Sequence, residues 1–533
     1  MSSAIPSAKP MQFERQATGL VREAGWLDVL IYNVNFISIG LMAVFMFTVT
    51  IPFYSGVNPY LNEIVAFLLV IPLSLVYAMF AAAMPRSGGD YVYVSRTLHP
   101  ALGMMTSFNN TVWWFIYGGV PSAFFARYGL GPFFRTIGRM SGNQMLTSWG
   151  DSLVGNLGTM IAGALLIVVL AIIFSYSLRL YFRFQNALFI LAMLSILLSI
   201  IVFLIESHGS VVSAINATFG QGSVDKALQS SKFSEGSFSL TNTILPMTWL
   251  YLELVFNQSS AYIGGEVRRA SRIQLWSMPA AAIIAVVVLM ILTWATINSV
   301  GFTLLGALGV DNGVSLGLTS APIFTEIASV ATGQVWLAVV ILGGFIFWSY
   351  TWLPGQILNA SRNLVAYALD GLMPKQMSYV HPRYHTPLVS VWLVSIGSIV
   401  FLYLYIYTSV FATLTGIFGF ILGFTVVSIA AIFFPYRLKD VFESSPVRWR
   451  WFGVPVVTLV GVLSLIACVA SAIIFLRDPL AGFQQADGSP YWSRIIYNVA
   501  IFVSGFIIYF IARAINRSRG VEIERRFASI PVE

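Results

Sequence analysis

Glu253 is an acidic residue within the long apolar stretch 243–266, so its charge needs an explanation. It lies about ten residues from the far end of that stretch, a depth of ~15 Å if the stretch is helical. A carboxylate in such surroundings costs a few kcal/mol unless it is protonated, paired or hydrated. Trp249, Glu253 and Asn257 follow at i, i+4 and i+8, so they share a face while the helix persists. We expect Glu253 to take up a proton or a cation, the alternative being a protonated structural side chain.

Two apolar stretches are interrupted near their middles by polar or helix-weakening residues. The interruptions fall at Ser38 and Gly40 in 28–51, and at Asn257, Gln258, Ser259 and Ser260 in 243–266. Freed backbone groups persist in hydrocarbon only where they line a cavity or are covered by protein. Interruptions at equivalent depth in two helices therefore indicate a site for a small zwitterion. The alternative is a polar kink that other helices satisfy.

Four other side chains are candidates for contact with a ligand or an ion. Asn110 is placed to touch a ligand or to bond across helices, and Trp113 to close a cavity or to pack. Ser349 and Thr351 offer hydroxyl oxygens to a hard cation such as Na⁺. Their alternative is hydrogen bonding to carbonyls of their own helix.

The elements that must position these residues are membrane helices. Hydrophobic residues make up 57% of the 533 residues and charged residues 9%, more apolar surface than a soluble domain buries. A helix needs about 20 mainly apolar residues to cross ~30 Å of hydrocarbon. Twelve spans are predicted, numbered in order: 28–51, 61–84, 101–128, 156–178, 184–206, 243–266, 277–300, 332–360, 387–407, 410–434, 453–476 and 493–514.

The distribution of basic residues predicts the orientation. An even number of spans places both termini on one side, and most of the 29 Lys and Arg residues lie on that side. The exceptions are Arg127, Arg135, Arg139, Lys226, Lys232, Arg477 and Arg494. Both termini are therefore predicted to be cytoplasmic in a multi-pass protein of the cell membrane. The net charge of +8 suits an anionic inner leaflet, and no nucleic-acid partner is expected.

Spans 1–5 and spans 6–10 correspond at an offset of five, which reverses their orientation. The connectors 85–100 and 301–331 are both longer than a turn and fall on opposite faces. The predicted organisation is a cytoplasmic segment 1–27, a first repeat 28–206, an external loop 207–242, an inverted second repeat 243–434, two further spans within 435–514 and a basic tail 515–533.

Four short motifs follow one another between residues 20 and 391. They are the lead-in Leu20–Asp28, the Pro-Arg-Ser-Gly-Gly element of Met84–Tyr93, the Glu-Val-basic run of Gly264–Arg269, and the polar connector Ser361–Val391 with Asp370–Pro374 at its centre and His381–Pro387 at its end. In this order they resemble the amino acid/polyamine/organocation superfamily of transporters, of the amino acid permease type.

The resemblance implies an all-α fold with a LeuT-type five-plus-five inverted repeat, discontinuous spans 1 and 6, and two C-terminal spans. It also implies that backbone at Ser38, Ile39, Gly40 and Leu41 holds a substrate carboxylate, and that the region Phe256 to Gln258 holds the amine. The family's Gly-x-Gly aligns with Ile39-Gly40-Leu41, so side chains flank the single glycine here.

The implied function is secondary active transport of amino acids or related organic cations by alternating access. The coupling ion is open between a proton, through Glu253, and sodium, through Ser349 and Thr351. A lysine that some proton-coupled relatives carry in span 5 is replaced by Ala192. A substrate sensor or a channel on the same scaffold is the alternative. The substrate, symport against exchange, and oligomeric state are left open.

Enzymatic function is not expected. The sequence has no Gly-x-x-x-x-Gly-Lys-Ser/Thr loop, and its four histidines fall at span ends or in connectors. The single cysteine, Cys468, excludes an intrachain disulfide. No cofactor and no bound metal are therefore predicted.

Overall fold

The computed structural model describes residues 12–15, 21–408 and 413–532, and its secondary structure is almost entirely helical. Residues 1–11 and 16–20 of the predicted segment 1–27, and the start of predicted span 10 at residues 410–412, lie outside this range. Ten helical segments among the described residues are long and apolar enough to cross a membrane. They confirm a polytopic all-α architecture.

Eight of these segments are uninterrupted helices and correspond to predicted spans 2, 4, 5, 7 and 9–12. They are Pro59–Ala83, Asn156–Tyr176, Leu178–Ile205, Ala270–Val300, Leu388–Tyr407, Thr415–Arg437, Val456–Arg477 and Trp492–Ser518. The other two are span 1, Trp26–Phe53, and span 8, Val335–Leu369, and both are interrupted internally.

Helices also form within predicted spans 3 and 6, but they do not meet the same criteria of length and composition. Span 3 is a helix from Pro100–Phe124 that continues through a π-helical turn, Phe125–Leu130, into Gly131–Ser141. The adjacent residues Asn109 and Asn110 make span 3 less apolar, whereas span 6 consists of short helical segments. Length and composition therefore support ten membrane-spanning segments among the described residues, and the total of twelve spans stays a prediction.

Span 1 breaks at Ser38, where the sequence predicted an interruption. Helix Trp26–Ile37 ends and helix Ile39–Phe45 begins, with Ser38 between them in the left-handed region at φ 52° and ψ 73°. This conformation costs a non-glycine residue of order 1 kcal/mol. The Ser38 hydroxyl offsets that cost, because it donates to the carbonyl of Trp348 in span 8 at 2.8 Å.

Span 6 changes its helix type where a break was predicted. The α-helix Met247–Leu254 is followed by the 3₁₀ segments Val255–Tyr262 and Gly264–Glu266. Side chains satisfy carbonyls that the change releases, since Asn257 Nδ2 donates to the Leu254 carbonyl at 2.7 Å. The interruption is therefore a change from α-helix to the tighter 3₁₀-helix at Val255, and we denote this change the break in span 6.

The connectors are folded as well. Their helices are Asp90–Thr97 after span 2, Gln144–Val154 after span 3, His208–Phe219, Ser223–Ser231 and Leu240–Ile244 in the predicted loop 207–242, Phe302–Val310 and Phe324–Ala331 after span 7, and Lys439–Ser444 after span 10, with short 3₁₀ turns at Val314–Leu316, Lys375–Ser378 and Ile523–Ala528. Strand Gln12–Arg15 pairs in parallel with Ser529–Val532, and Arg450–Trp451 pairs antiparallel with Val454–Pro455.

The motif Ser361–Val391 was predicted to be a polar connector throughout, which is wrong for its first part. The second half of span 8 is a helix from Trp352 to Leu369, so residues 361–369 are helical. Arg362 remains in that helix because its charge is paired within the bundle. The connector itself begins at Asp370.

The two broken spans are joined to each other at both ends. We denote the end of the bundle at Trp26 the terminal face and the end at Phe53 the distal face. On the terminal face the amide of Glu23 donates to the Glu266 carbonyl at 2.9 Å, and that of Arg268 to the Ala24 carbonyl at 2.9 Å. These bonds hold the start of span 1 against the end of span 6.

On the distal face, one carboxylate joins three spans. Asp478, directly after span 11, accepts hydrogen bonds from the Tyr54 hydroxyl at 2.6 Å and the Thr248 hydroxyl at 2.5 Å. Tyr54 follows span 1 and Thr248 lies in the distal half of span 6. Burial raises the pKa of the Asp478 carboxyl, and these two hydrogen bonds oppose the rise.

Three ion pairs are almost fully buried, with each side chain no more than 3% exposed. They are Arg96–Asp370 at 2.9 Å, Arg362–Glu266 at 2.8 Å and Arg135–Glu326 at 2.6 Å. Each joins elements far apart in sequence. A charge that lost its partner here would remain buried and uncompensated.

We expect Glu326→Gln to reduce the free energy of unfolding by about 3 kcal/mol, because it leaves Arg135 buried without its countercharge. Thermal or denaturant unfolding of the purified protein in detergent measures this. Glu524→Gln is the control: it breaks the exposed pair with Arg513 and should cost less than about 1 kcal/mol. Equal losses for both variants would contradict the assignment.

Candidate functional site at the broken helices

The break in span 1 exposes backbone groups in the middle of the bundle. The first amides of helix Ile39–Phe45 have no acceptor within that helix, and they belong to Ile39, Gly40 and Leu41. All three residues are fully buried. These are the residues whose backbone was predicted to hold a substrate carboxylate, and that role stays a prediction.

Gly40 is needed for packing as well. A Cβ atom at this position would lie 2.6 Å from the Cβ of Trp348 and 2.9 Å from the Phe345 ring. The glycine therefore allows span 1 to approach span 8 closely enough for Ser38 to bond to the Trp348 carbonyl. The Cα–Cβ direction of residue 40 faces span 8.

Span 6 meets the terminal half of span 1 through a reciprocal amide contact. Asn33 Nδ2 donates to the Ser260 hydroxyl at 3.0 Å, and the Ser260 amide donates to Asn33 Oδ1 at 3.0 Å. Gln274 of span 7 donates to the Ser260 carbonyl at 2.9 Å. These bonds fix the 3₁₀ segment that carries Phe256, Asn257 and Gln258.

Four aromatic rings from four spans pack together beside the break. Trp114 lies 5.4 Å from Phe36, 5.1 Å from Phe256 and 4.5 Å from Phe420, measured between ring centroids. Phe256 lies 5.3 Å from Phe36 and 5.2 Å from Phe420. We denote these residues the aromatic cluster. They give the region next to the freed backbone an apolar wall.

Polar atoms without hydrogen-bond partners accompany that wall. Both oxygens of Glu253 lack a partner, and the indole of Trp352 lies beside this carboxyl without a hydrogen bond of ordinary geometry. Both side-chain polar atoms of Gln356, one turn beyond Trp352, are also unpaired. The side-chain oxygens of Asn257 and Gln258 lack a partner as well. Buried polar groups are normally satisfied, so this set is expected to face water or a ligand.

Glu253 therefore keeps the isolation that the sequence indicated, but its predicted alignment is only partly present. Trp249 and Glu253 share a face of helix Met247–Leu254. Asn257 lies beyond the end of that helix, and its amide caps the Leu254 carbonyl. The face shared by all three residues is absent because the helix changes type at Val255.

The structure directs Trp113 away from the break and pairs Asn110 with a buried carboxylate. Trp113 packs against the Tyr497 ring, with centroids 6.3 Å apart, and a Cβ on Gly419 would meet its indole nitrogen. Asn110 donates to the carboxylate of Asp90. Adjacent helical residues point about 100° apart, so Trp114 faces the broken spans and Trp113 does not.

Ser349 and Thr351 face different neighbours, so their hydroxyls do not converge at span 1. The Ser349 hydroxyl donates to the Ile346 carbonyl at 2.7 Å and lies against Gly129 of span 3. The Thr351 hydroxyl donates to the Trp348 carbonyl at 3.2 Å. Thr351 lines a mainly apolar cavity of about 200 Å³ with Asn35 and Ala192. Both hydroxyls therefore bond to carbonyls of span 8 itself, Ser349 within its helix and Thr351 across the interruption at residues 349–351.

Comparison with known proteins identifies the family of the chain. The sequence model of the amino acid permease family matches residues 33–507, which include the breaks in spans 1 and 6 and the aromatic cluster. The chain belongs to the amino acid permease family. The permease is also similar to the branched-chain amino acid permease BcaP of Bacillus subtilis (strain 168), with 31% identity over 160 residues. That similarity covers 29% of the permease and 30% of the relative.

Family membership confirms the predicted superfamily, and together with the apolar helices it supports a multi-pass membrane protein. Among the residues that the structure describes, no group of three or more His, Cys, Asp or Glu is placed to hold a metal ion.

Several residues at this site were not predicted from the sequence. Phe36 and Phe420 carry no distinguishing signal, because aromatic residues make up 15% of the permease. Asp90 is fully buried and accepts from Tyr262 at 2.8 Å as well as from Asn110. Its position directly after the Ser-Gly-Gly motif was the available signal.

We expect Gly40→Ala to lower the unfolding free energy of the permease by about 1–3 kcal/mol, because the added methyl group overlaps Trp348. Gly209→Ala is the matched control, since nothing lies within 4 Å of a Cβ there and residue 209 is helical. Thermal unfolding in detergent compares the two. A Gly40→Ala protein as stable as the control would refute the close contact.

Proposed function

We propose that the permease carries amino acids across the membrane by alternating access around the breaks in spans 1 and 6. The observation that carries the proposal is the combination of freed backbone amides, unpaired polar side chains and the aromatic cluster in one buried region. The amides suit a carboxylate, the unpaired oxygens suit an amine, and the rings suit an apolar side chain.

Closure of that region from both faces supports alternating access. The terminal halves of spans 1 and 6 are joined through Asn33 and Ser260, and their distal ends through Asp478. Each set of bonds must open in turn for a substrate to cross. The proposed topology is the twelve-span, five-plus-five inverted repeat with both termini in the cytoplasm.

The proposed substrate is a neutral amino acid with an apolar side chain. The aromatic cluster offers no charged partner for a side chain, and the relative BcaP is named as a branched-chain amino acid permease. Glu253 is then the site of the coupling proton, because an intramembrane carboxylate without a protein partner is stable mainly in its neutral form. Sodium coupling is less well supported, because the Ser349 hydroxyl faces span 3.

The second candidate function is transport of a cationic amino acid or amine. The unpaired Glu253 carboxyl favours it, because an ionised Glu253 needs a cation nearby. A channel or a sensor on the same scaffold is distinguished by flux, since a channel conducts without counterflow and a sensor binds without transport.

Proteoliposomes containing the permease should show saturable leucine uptake and counterflow. We expect Trp114→Ala to raise the half-saturating concentration about tenfold or more, because it removes a buried ring from the aromatic cluster. Trp113→Ala is the matched control, equally buried and on the same helix but directed towards span 12.

Uptake without counterflow would refute carrier function. A larger effect of Trp113→Ala than of Trp114→Ala on the half-saturating concentration would place the substrate on the other side of span 3. Equal protein levels and unfolding temperatures are required for the comparison.

Glu253→Gln should retain leucine counterflow but lose uptake driven by an imposed proton gradient, because glutamine cannot bind and release a proton. The measurement is leucine accumulation at several external pH values. Unchanged gradient-driven uptake would exclude Glu253 as the proton site. Selective loss of lysine uptake over leucine uptake would instead support the second candidate function.

A further inference from the structure

A groove on the terminal face lies outside the site described above. It has a volume of about 660 Å³ and is formed by the end of span 12, the connector that follows span 8, and the C-terminal tail. One wall consists of Ile508, Ile511 and Ile515, which recur on one face of span 12. Ile511 and Ile515 are 54% and 46% exposed, so this wall is open to the hydrocarbon beside the span.

The opposite rim of the groove is basic. Lys375, Arg519 and Arg526 line it, and no carboxylate is among its lining residues. None of the three is in an ion pair with another described residue. Three cations close together repel one another unless an anion is shared between them.

The acidic residues of the tail that the structure describes, Glu522 and Glu524, do not supply that anion. Glu524 pairs with Arg513 at 2.5 Å, and Glu522 pairs with Arg525 at 2.7 Å. Both of these carboxylates are therefore paired with arginines that do not line the groove. The rim keeps its positive charge.

The groove has defined walls. Asn516 Nδ2 donates to the Gly371 carbonyl at 2.9 Å, and Arg526 Nη1 donates to the Leu369 carbonyl at 2.9 Å. Phe527 is buried under the guanidinium of Arg96, 4.6 Å from the ring centroid. The tail is thereby held against the connector, and the three cations are held in one place.

We propose that this groove binds an anionic phospholipid, with its phosphate shared by Lys375, Arg519 and Arg526 and an acyl chain along the isoleucine wall. The apolar wall follows a span predicted to cross the membrane, and the cations follow directly at its end, which is the level of lipid headgroups. A free phosphate would use the cations but would leave the isoleucines without a partner.

The lipid would join span 12, the tail and the connector that carries Asp370. Because Asp370 pairs with Arg96 beneath Phe527, occupancy is expected to stabilise the terminal face. Stabilisation therefore reports on binding without any need for transport. The inference is independent of the substrate and of the coupling ion.

The test is thermal unfolding of the full-length permease in detergent micelles with added phosphatidylglycerol or phosphatidylcholine. Phosphatidylglycerol should raise the unfolding temperature and phosphatidylcholine should not. In the variant Lys375→Gln/Arg519→Gln, the half-saturating concentration of phosphatidylglycerol should rise roughly 30-fold, because each basic residue contributes to headgroup binding. Raised salt should weaken the effect.

Arg183→Gln/Arg448→Gln is the control, since both arginines are exposed and lie outside the groove. It should keep the wild-type response, and so should the charge-conserving variant Lys375→Arg/Arg519→Lys. Equal stabilisation by the two lipids, or a full response in Lys375→Gln/Arg519→Gln, would overturn the proposal. Equal stabilisation by soluble glycerophosphoglycerol would assign the rim to a free phosphate and also overturn it.

Discussion

The hydrogen bond from the Ser38 hydroxyl to the Trp348 carbonyl holds the break on which the central region depends. A serine in the left-handed conformation is unfavourable by itself, and the freed amides that follow it would be costly in hydrocarbon. The bond forms because Gly40 lets spans 1 and 8 approach. If span 1 were a continuous helix, no backbone donors would be available beside the aromatic cluster.

Charge inside the bundle is distributed unevenly. The buried arginines Arg96, Arg135 and Arg362 each have a carboxylate partner, so their desolvation is compensated by attraction and by hydrogen bonds. Glu253 lacks such a partner among the described residues. The contrast separates acidic residues that pair with buried arginines from Glu253, whose proposed role is to exchange a proton or meet a substrate.

The family motifs in the sequence are used mainly to hold the terminal face together. Glu266 of the Glu-Val-basic run pairs with Arg362, and Asp370 of the later motif pairs with Arg96. Asp90, beside the Ser-Gly-Gly motif, bonds to Tyr262 of span 6. These motifs lie at span ends, where polar groups can be paired without crossing the hydrocarbon, and they indicate the fold more directly than the substrate.

The sequence by itself determined the membrane-spanning character, the break at Ser38 and the isolation of Glu253, because hydropathy and the cost of buried polar groups act locally along the chain. Tertiary structure decided that Trp114 rather than Trp113 meets the broken spans and that the Ser349 hydroxyl faces span 3. Those outcomes depend on how each helix is rotated against its neighbours. Rotation is set by packing between distant segments, and hydrophobic faces towards lipid and protein look alike in sequence.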